Sequence, residues 1–308
     1  MHREHFPIPR TFQETVTGVH GEKGLQWLSR LSELLVHCIE RWALELEKPF
    51  PGLSFNLVFP GKTNGGREIV MKLGVPCREL LTEIAALEVF AGKGSVRLLS
   101  FDRAKGVLLL ERVGPGHSLK TIAHDAEATE IAAKTMKHLF RPTPLAHPFP
   151  SLEDWHQAFS RLRMKFNQGT GPFSPELIET AEKLFGELHS ESISKVLLHG
   201  DLHHGNLLFS QTHGWVSIDP KGVVGEPGYE VGAFMRNRIS LSDSEQEIST
   251  ILNTRLDIFS DVLGIDLNRL AMWTVYHAVL SALWSWEDSM NYSEGIRLAE
   301  VMRRTFRI

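Results

Sequence analysis

The chain is poor in cysteine. Cys38 and Cys77 are the two in 308 residues, and their spacing matches no metal-ligand pattern. This excludes a disulfide scaffold and a thiolate zinc cluster, and it fits a reducing, cytoplasmic compartment. Long apolar runs are also missing. No stretch approaches the ~18 residues of a membrane span, and no apolar segment of signal length follows Met1-His2-Arg3-Glu4-His5. Neither sign of charge dominates. Thirty-three Lys and Arg stand against 37 Asp and Glu, scattered throughout, for a net charge of −4. A nucleic-acid footprint is therefore not expected. No internal repeat or low-complexity segment interrupts the chain. What is present is ordinary globular material, 42% apolar and 23% charged. The length exceeds one usual core, so two lobes are expected.

Residues 1–20 show no clear period and read as a loosely packed arm. Leu25, Leu28, Leu31, Leu35, Ile39 and Trp42 recur at helical spacing and predict one helix over about 23–46. Pro49 and Pro51 break the chain. Phe55, Leu57 and Phe59 alternate as a strand does. Asn64-Gly65 signals a two-residue hairpin with positive φ at both positions, returning as Glu68 to Leu73. Pro76 opens a helix with Leu80, Ile84 and Leu87 on its buried face. Val96–Leu99 and Val107–Leu110 predict two more strands, and Gly114-Pro115-Gly116 ends the sheet. Beyond lie helices over 126–139, 151–167, 174–190, 243–263 and 266–287. Their capping signals are Ser151 to Asp154, Ser174-Pro175 and Asp266. Short strands are expected at 196–198, 207–209 and 216–218.

Those short strands flank the stretch that carries chemistry, His199-Gly200-Asp201-Leu202-His203-His204-Gly205-Asn206, followed by Asp219. An Asp, an Asn five residues on, and a second Asp after an apolar run form the layout of a phosphotransferase. Phosphoryl transfer needs positioning and charge neutralisation more than covalent help. Asp201 is expected to orient or deprotonate the acceptor hydroxyl. Asn206 and Asp219 are expected to hold Mg2+, a hard ion that takes oxygen ligands and keeps waters. Gly200 and Gly205 allow a sharp turn. A metal site on His199, His203 and His204 is the competing reading. The glycines argue against the helix it needs, so His199 and His203 are read as braces of the loop and His204 as solvated. Such Asp/Asn turns can also be purely structural.

A kinase also needs a cation on the nucleotide phosphates, usually a strand lysine paired with a glutamate on the next helix. Lys72 closes a predicted strand, and Glu83, with Glu79 as the alternative, lies on the following helix. A loop over the nucleotide is expected near Pro51 to Asn56, with Ser54 as its candidate contact, although it holds a single glycine. Glu111 to Val113 are expected to offer backbone groups to the adenine edge.

With these residues in place, the chain resembles the aminoglycoside phosphotransferase family, and within it the streptomycin 6-kinase and hydroxyurea-kinase branch. The resemblance is carried by Gly94 to Leu99, Leu108 to Gly116, the His199 to Asn206 motif, and Ile218 to Pro227 continuing through Tyr229 to Asn237. It covers roughly residues 50–290. It implies an α+β, protein-kinase-like bilobal fold: a small β-rich N-lobe with a helical extension over 1–113, and a larger, mainly helical C-lobe over 114–308. It further implies ATP with Mg2+ and transfer of the γ-phosphate to a hydroxyl of a small molecule. On this resemblance Asp201 is the catalytic base, Asn206 and Asp219 the metal ligands, and Lys72 the phosphate lysine.

The acceptor is less marked. Trp273, His277, Leu280 and Trp284 form a stripe on the last predicted helix, with Glu287 at its end. The stripe reads either as core packing or as the wall of an acceptor pocket. Glu226 and Glu230 are further candidates for a cationic substrate. An aminoglycoside such as streptomycin is the leading acceptor, ahead of another amino sugar or metabolite. The reading from a different class is a nucleotide-binding regulator without catalysis, which usually lacks one of the three motif residues.

Overall fold

The computed structural model describes residues 8–51, 55–190, 193–240, 242–288 and 291–308. The chain divides into two compact units, one ending at Gly116 and the next beginning at His117.

The first unit opens with α1 (Arg10–Ser29) and α2 (Leu31–Trp42). This corrects the expected arm and single helix. The helix begins earlier because Phe12 and Val16, four residues apart, both enter the core. It changes direction at Gly21 (φ 54°) and breaks at Arg30. Leu25 of the expected stripe faces outward, and Trp27 is buried in its place. Left-handed Ala43 stops α2, and β1 (Leu44–Leu46) follows where helix was expected.

The strands β2 (Leu57–Thr63) and β3 (Glu68–Leu73) form the expected hairpin. Its turn differs. Gly66, not Asn64 and Gly65, takes positive φ, and Gly66 N–H donates to Thr63 O at 2.8 Å. This is the three-residue form of hairpin loop. Phe55 lies outside the strand and is exposed. Next come α3 (Arg78–Phe90), β4 (Leu98–Asp102) and β5 (Val107–Glu111). The sheet order is β1-β2-β3-β5-β4, with each pair antiparallel. Ile69, Met71 and Leu73 share one core with Phe12, Val16, Trp27 and Leu31. Lys72 alternates to the other face of β3, where Glu83 meets it.

The strand β6 (Pro115–Ser118) leads into the second unit. Then come α4 (Asp125–Leu139), α5 (Leu152–Lys165) and α6 (Pro175–Ser190). Ser151 and Asp154 form a full capping box, and Ser174 Oγ accepts from Leu177 N at 3.2 Å. Four short strands follow: β7 (Val196–Leu198), β8 (Leu207–Ser210), β9 (Gly214–Ser217) and β10 (Val223–Gly225). They form the sheets β6-β8-β9 and β10-β7. The chain closes with α7 (Val231–Arg236), α8 (Glu245–Leu263), α9 (Leu267–Glu287) and α10 (Ser293–Phe306). Asp266 caps α9 as expected. From Leu270 to Leu283 this helix is buried almost all round, which marks it as the central helix of its unit. No described helix is long and apolar enough to cross a membrane.

Candidate active site

The motif occupies the turn between β7 and β8, and backbone bonds stitch it to the turn after β9. Ile218 N donates to Asn206 O at 2.9 Å, and Lys221 N donates to His199 O at 2.8 Å. His199 Nε2 lies 2.8 Å from Ile218 O, while its Nδ1 accepts from Asp201 N at 3.3 Å. One ring thus spans both turns in its neutral form, with Nε2–H as the donor. His203 Nδ1 accepts from Gly205 N at 2.9 Å and starts a 3-10 turn over His204–Asn206. Gly200 sits at φ 83°, and a Cβ there would come within 2.8 Å of Trp155. At Gly205 a Cβ would strike the His203 ring instead.

His204 departs from its reading as solvated. It is fully buried and stacks on Phe234 with centroids 3.9 Å apart. Burial, with Arg255 nearby, lowers its pKa to about 3, so it is a neutral packing element. His199 and His203 are therefore committed to the loop's own bonding, and His204 to packing against α7.

Asp201 carries the electrostatic signature of an acid/base group. Burial raises its pKa to about 6; Arg236 opposes the shift and Asp219 adds to it. Asn206 Nδ2 donates to Asp201 O at 3.0 Å. That bond fixes the amide and leaves Oδ1, the atom a hard cation binds, as its other polar end. Asp219 holds φ 58°, the left-handed region that few side-chain-bearing residues adopt. One amide oxygen and one carboxylate on stitched turns make a donor set that fits Mg2+ rather than a softer metal.

In the first unit Lys72 Nζ donates to Glu83 Oε1 at 2.7 Å and to Oε2 at 2.9 Å, with both side chains buried. Glu79, the alternative, is exposed on α3. Glu111 lies at the end of β5, where its carboxylate accepts from Arg97 N at 2.7 Å and its N–H donates to Arg97 O at 3.0 Å. Its amide is thus taken up inside the sheet edge. Val113 follows, outside the strand. Ser54 lies outside the described residues.

The expected acceptor contacts separate into two sets. Glu230 is 2% exposed and accepts from His199 N at 2.6 Å and Gly200 N at 3.0 Å. It braces the motif from beneath instead of facing a ligand. Burial raises its pKa to about 7 against the lowering effect of those amides. Glu226 is buried in a two-pronged pair with Arg269, at 2.6 and 2.7 Å. Trp273 and His277 are core residues, as the packing reading of the stripe anticipated. Both Glu226 and Glu230 look like exposed charges in sequence, because their partners come from distant segments. Trp284 and Glu287 remain partly open. Trp284 sets its ring edge-on to Trp155 at 5.2 Å, and Glu287 pairs with Arg161 at 2.7 and 2.8 Å.

Two residues near the motif had no role assigned from sequence. Trp155 packs beside Gly200. Arg236, at the end of α7, is the charge nearest in effect to Asp201, and its Nε donates to His277 Nδ1 at 3.2 Å. Gly232 is what admits His277, since a Cβ there would lie 2.3 Å from its ring. Arg236 stood inside the family-like segment, which was its one visible signal. Nothing in the sequence linked Trp155 to the loop.

The family model for aminoglycoside/hydroxyurea antibiotic resistance kinases matches residues 41–289. The chain belongs to this family. Streptomycin 6-kinase of Streptomyces glaucescens is similar to it, at 27% identity over 96% of this chain and 97% of the relative. So is hydroxyurea phosphotransferase of Kitasatospora aureofaciens, at 29% identity over 91% and 81%. Among solved structures, a choline/ethanolamine kinase family protein of Mesorhizobium loti superposes with a TM-score of 0.67 and 13% identity. That likeness covers 91% of this chain and 94% of that one, and it shows the fold, which is protein-kinase-like. This kinase family acts on small molecules, so the reading as a silent regulator gives way to that of a phosphotransferase.

Proposed function

We propose that this kinase transfers the γ-phosphate of ATP to a hydroxyl of an aminoglycoside, with streptomycin as the leading acceptor. The observation that supports the reading is the stitched pair of turns, in which Asn206 binds the backbone oxygen of Asp201 and accepts from Ile218 N next to Asp219, together with the burial that raises the Asp201 pKa. Asp201 takes the proton of the acceptor hydroxyl as its oxygen bonds to the γ-phosphorus, and the bond from that phosphorus to the bridging oxygen breaks to release ADP. Asn206 and Asp219 would hold Mg2+, which would supply neutralisation of phosphate charge. Lys72, oriented by Glu83, binds the nucleotide phosphates, and Glu111 to Val113 with Ser54 meet the rest of the nucleotide. Trp284 and Glu287, with Trp155, form the acceptor wall, where aromatic faces and a carboxylate suit a cationic sugar.

The test is steady-state kinetics with Mg-ATP and a panel of aminoglycosides and hydroxyurea. Asp201→Asn is expected to lower kcat by about 10²–10⁴-fold with nucleotide binding retained. Unchanged turnover in that variant removes Asp201 as the base. Absence of turnover on every aminoglycoside removes the antibiotic as acceptor.

A further inference from the structure

A cavity of about 510 Å3 opens in the first unit between the two N-terminal helices and the loops at one end of the sheet. Its size is that of a small-molecule site. The wall includes Trp27 and Leu34 from the helices and Val75 and Pro76 from the β3–α3 connection. Trp27 and Val75 belong to the core on the Ile69–Met71–Leu73 face of β3. Lys72 projects from the opposite face towards Glu83. The cavity is thus separate from the phosphate lysine, and none of its lining residues has a part in the proposed chemistry.

The charges around it are unbalanced. Lys23, Arg30 and Lys105 line it, against Glu33 as the single acidic residue. Among the described residues Lys23 has no ion pair. Arg30 stands 3.9 Å from Glu33 with both side chains exposed, and Lys105, itself half-exposed, is 3.4 Å from the largely buried Asp102. Pairs this long hold exposed cations weakly. Trp27 adds an aromatic surface. A wall with a net positive rim, an indole and a proline ring suits an anion carried on an aromatic body.

We propose that this cavity is a regulatory site for a small aromatic anion. Val75 and Pro76 belong to the segment that joins Lys72 on β3 to Glu83 on α3. A ligand pressed against that segment acts on the spacing of the ion pair without touching it. The regulatory half rests on the kinase reading, whereas the binding half does not, so the two fail separately.

The probe is anilinonaphthalenesulfonate, titrated by fluorescence into the full chain. One saturable site is expected. The exposed charge reversals Lys23→Glu and Arg30→Glu, combined, should weaken it by about tenfold. Ala104→Trp, which fills the cavity from an exposed position, should weaken it at least as much. Circular dichroism checks both folds. If Ala104→Trp does not fold, the charge-reversed variant decides alone. Absence of saturable binding, or wild-type affinity in either folded variant, overturns the site. With wild-type protein, saturating probe should shift the KM for ATP, and Ala104→Trp should abolish that shift. A KM unmoved by bound probe, or moved equally in Ala104→Trp, overturns the regulatory role.

Discussion

Glu83 in the first unit and Glu230 in the second are both almost fully buried, at 6% and 2% exposure, yet different partners hold them. Glu83 gives both oxygens to the ammonium of Lys72. Glu230 gives its oxygens to the backbone amides of His199 and Gly200. The first arrangement cancels charge with charge and orients a cation. The second uses amide dipoles and fixes the path of a loop. Burial dominates the second carboxyl, whose pKa rises to about 7. The difference separates two tasks in the proposed kinase: one glutamate aims a side chain, and the other shapes the backbone that presents Asp201.

The largest effect should come from breaking the charged pair. Glu83→Ala removes the carboxylate that holds the buried Lys72 ammonium, and should cost about 3–5 kcal/mol, read from the urea midpoint. A loss below about 1 kcal/mol would mean that Lys72 finds water or another partner.

Next is the pH response of Glu230. Its folded pKa lies above the ordinary 4.5, so the folded state keeps a proton that the unfolded chain releases. Its contribution is full below about pH 4.5 and is lost as pH rises through 7, an amount on the order of 3 kcal/mol. Glu230→Gln removes this dependence. Stability curves of the two proteins that stay parallel from pH 4.5 to 7.5 would contradict the assignment.

A smaller effect is expected of Glu230→Gln at pH above 7. The glutamine oxygen can accept from one of the two amides but not both, and a buried N–H left unmet costs about 1–3 kcal/mol. The loop should loosen with it, which hydrogen exchange at Gly200 and Asp201 would register.

The smallest belongs to the exposed pair Arg161–Glu287. Glu287→Gln should change stability by less than about 1 kcal/mol but raise KM for a cationic acceptor. An unchanged KM takes Glu287 out of the acceptor wall.

Much of the candidate site was legible in sequence because it rests on short, stereotyped spacings. The five-residue step from Asp201 to Asn206 and the step onward to Asp219 survive as two turns tied by Ile218 N and Asn206 O. Lys72 and Glu83 were legible because a strand end and a helix face fix their directions. The acceptor side was less so. Glu226 and Glu230 carry charge, and charge suggests exposure until a distant partner is known. Arg269, 43 residues from Glu226, and the amides 30 and 31 residues before Glu230 are those partners. The N-terminal helices were misjudged for a similar reason. Phe12, Val16 and Trp27 are drawn inward by the sheet, whereas the regular leucine pattern suggested a different buried face.

By itself the sequence determined the class of chemistry, since the residues that transfer a phosphoryl group must stand at fixed intervals along the turns that carry them. It also determined most of the helices and strands, through periodicity and caps that act within a few residues. Only the tertiary structure decided which charges are available. Whether a carboxylate meets solvent, an arginine or two backbone amides depends on segments far apart in the chain. It likewise decided that His204 is neutral and packed, and that Lys23, Arg30 and Lys105 gather around one cavity beside the N-terminal helices, because burial belongs to the assembled fold and to no single stretch of it.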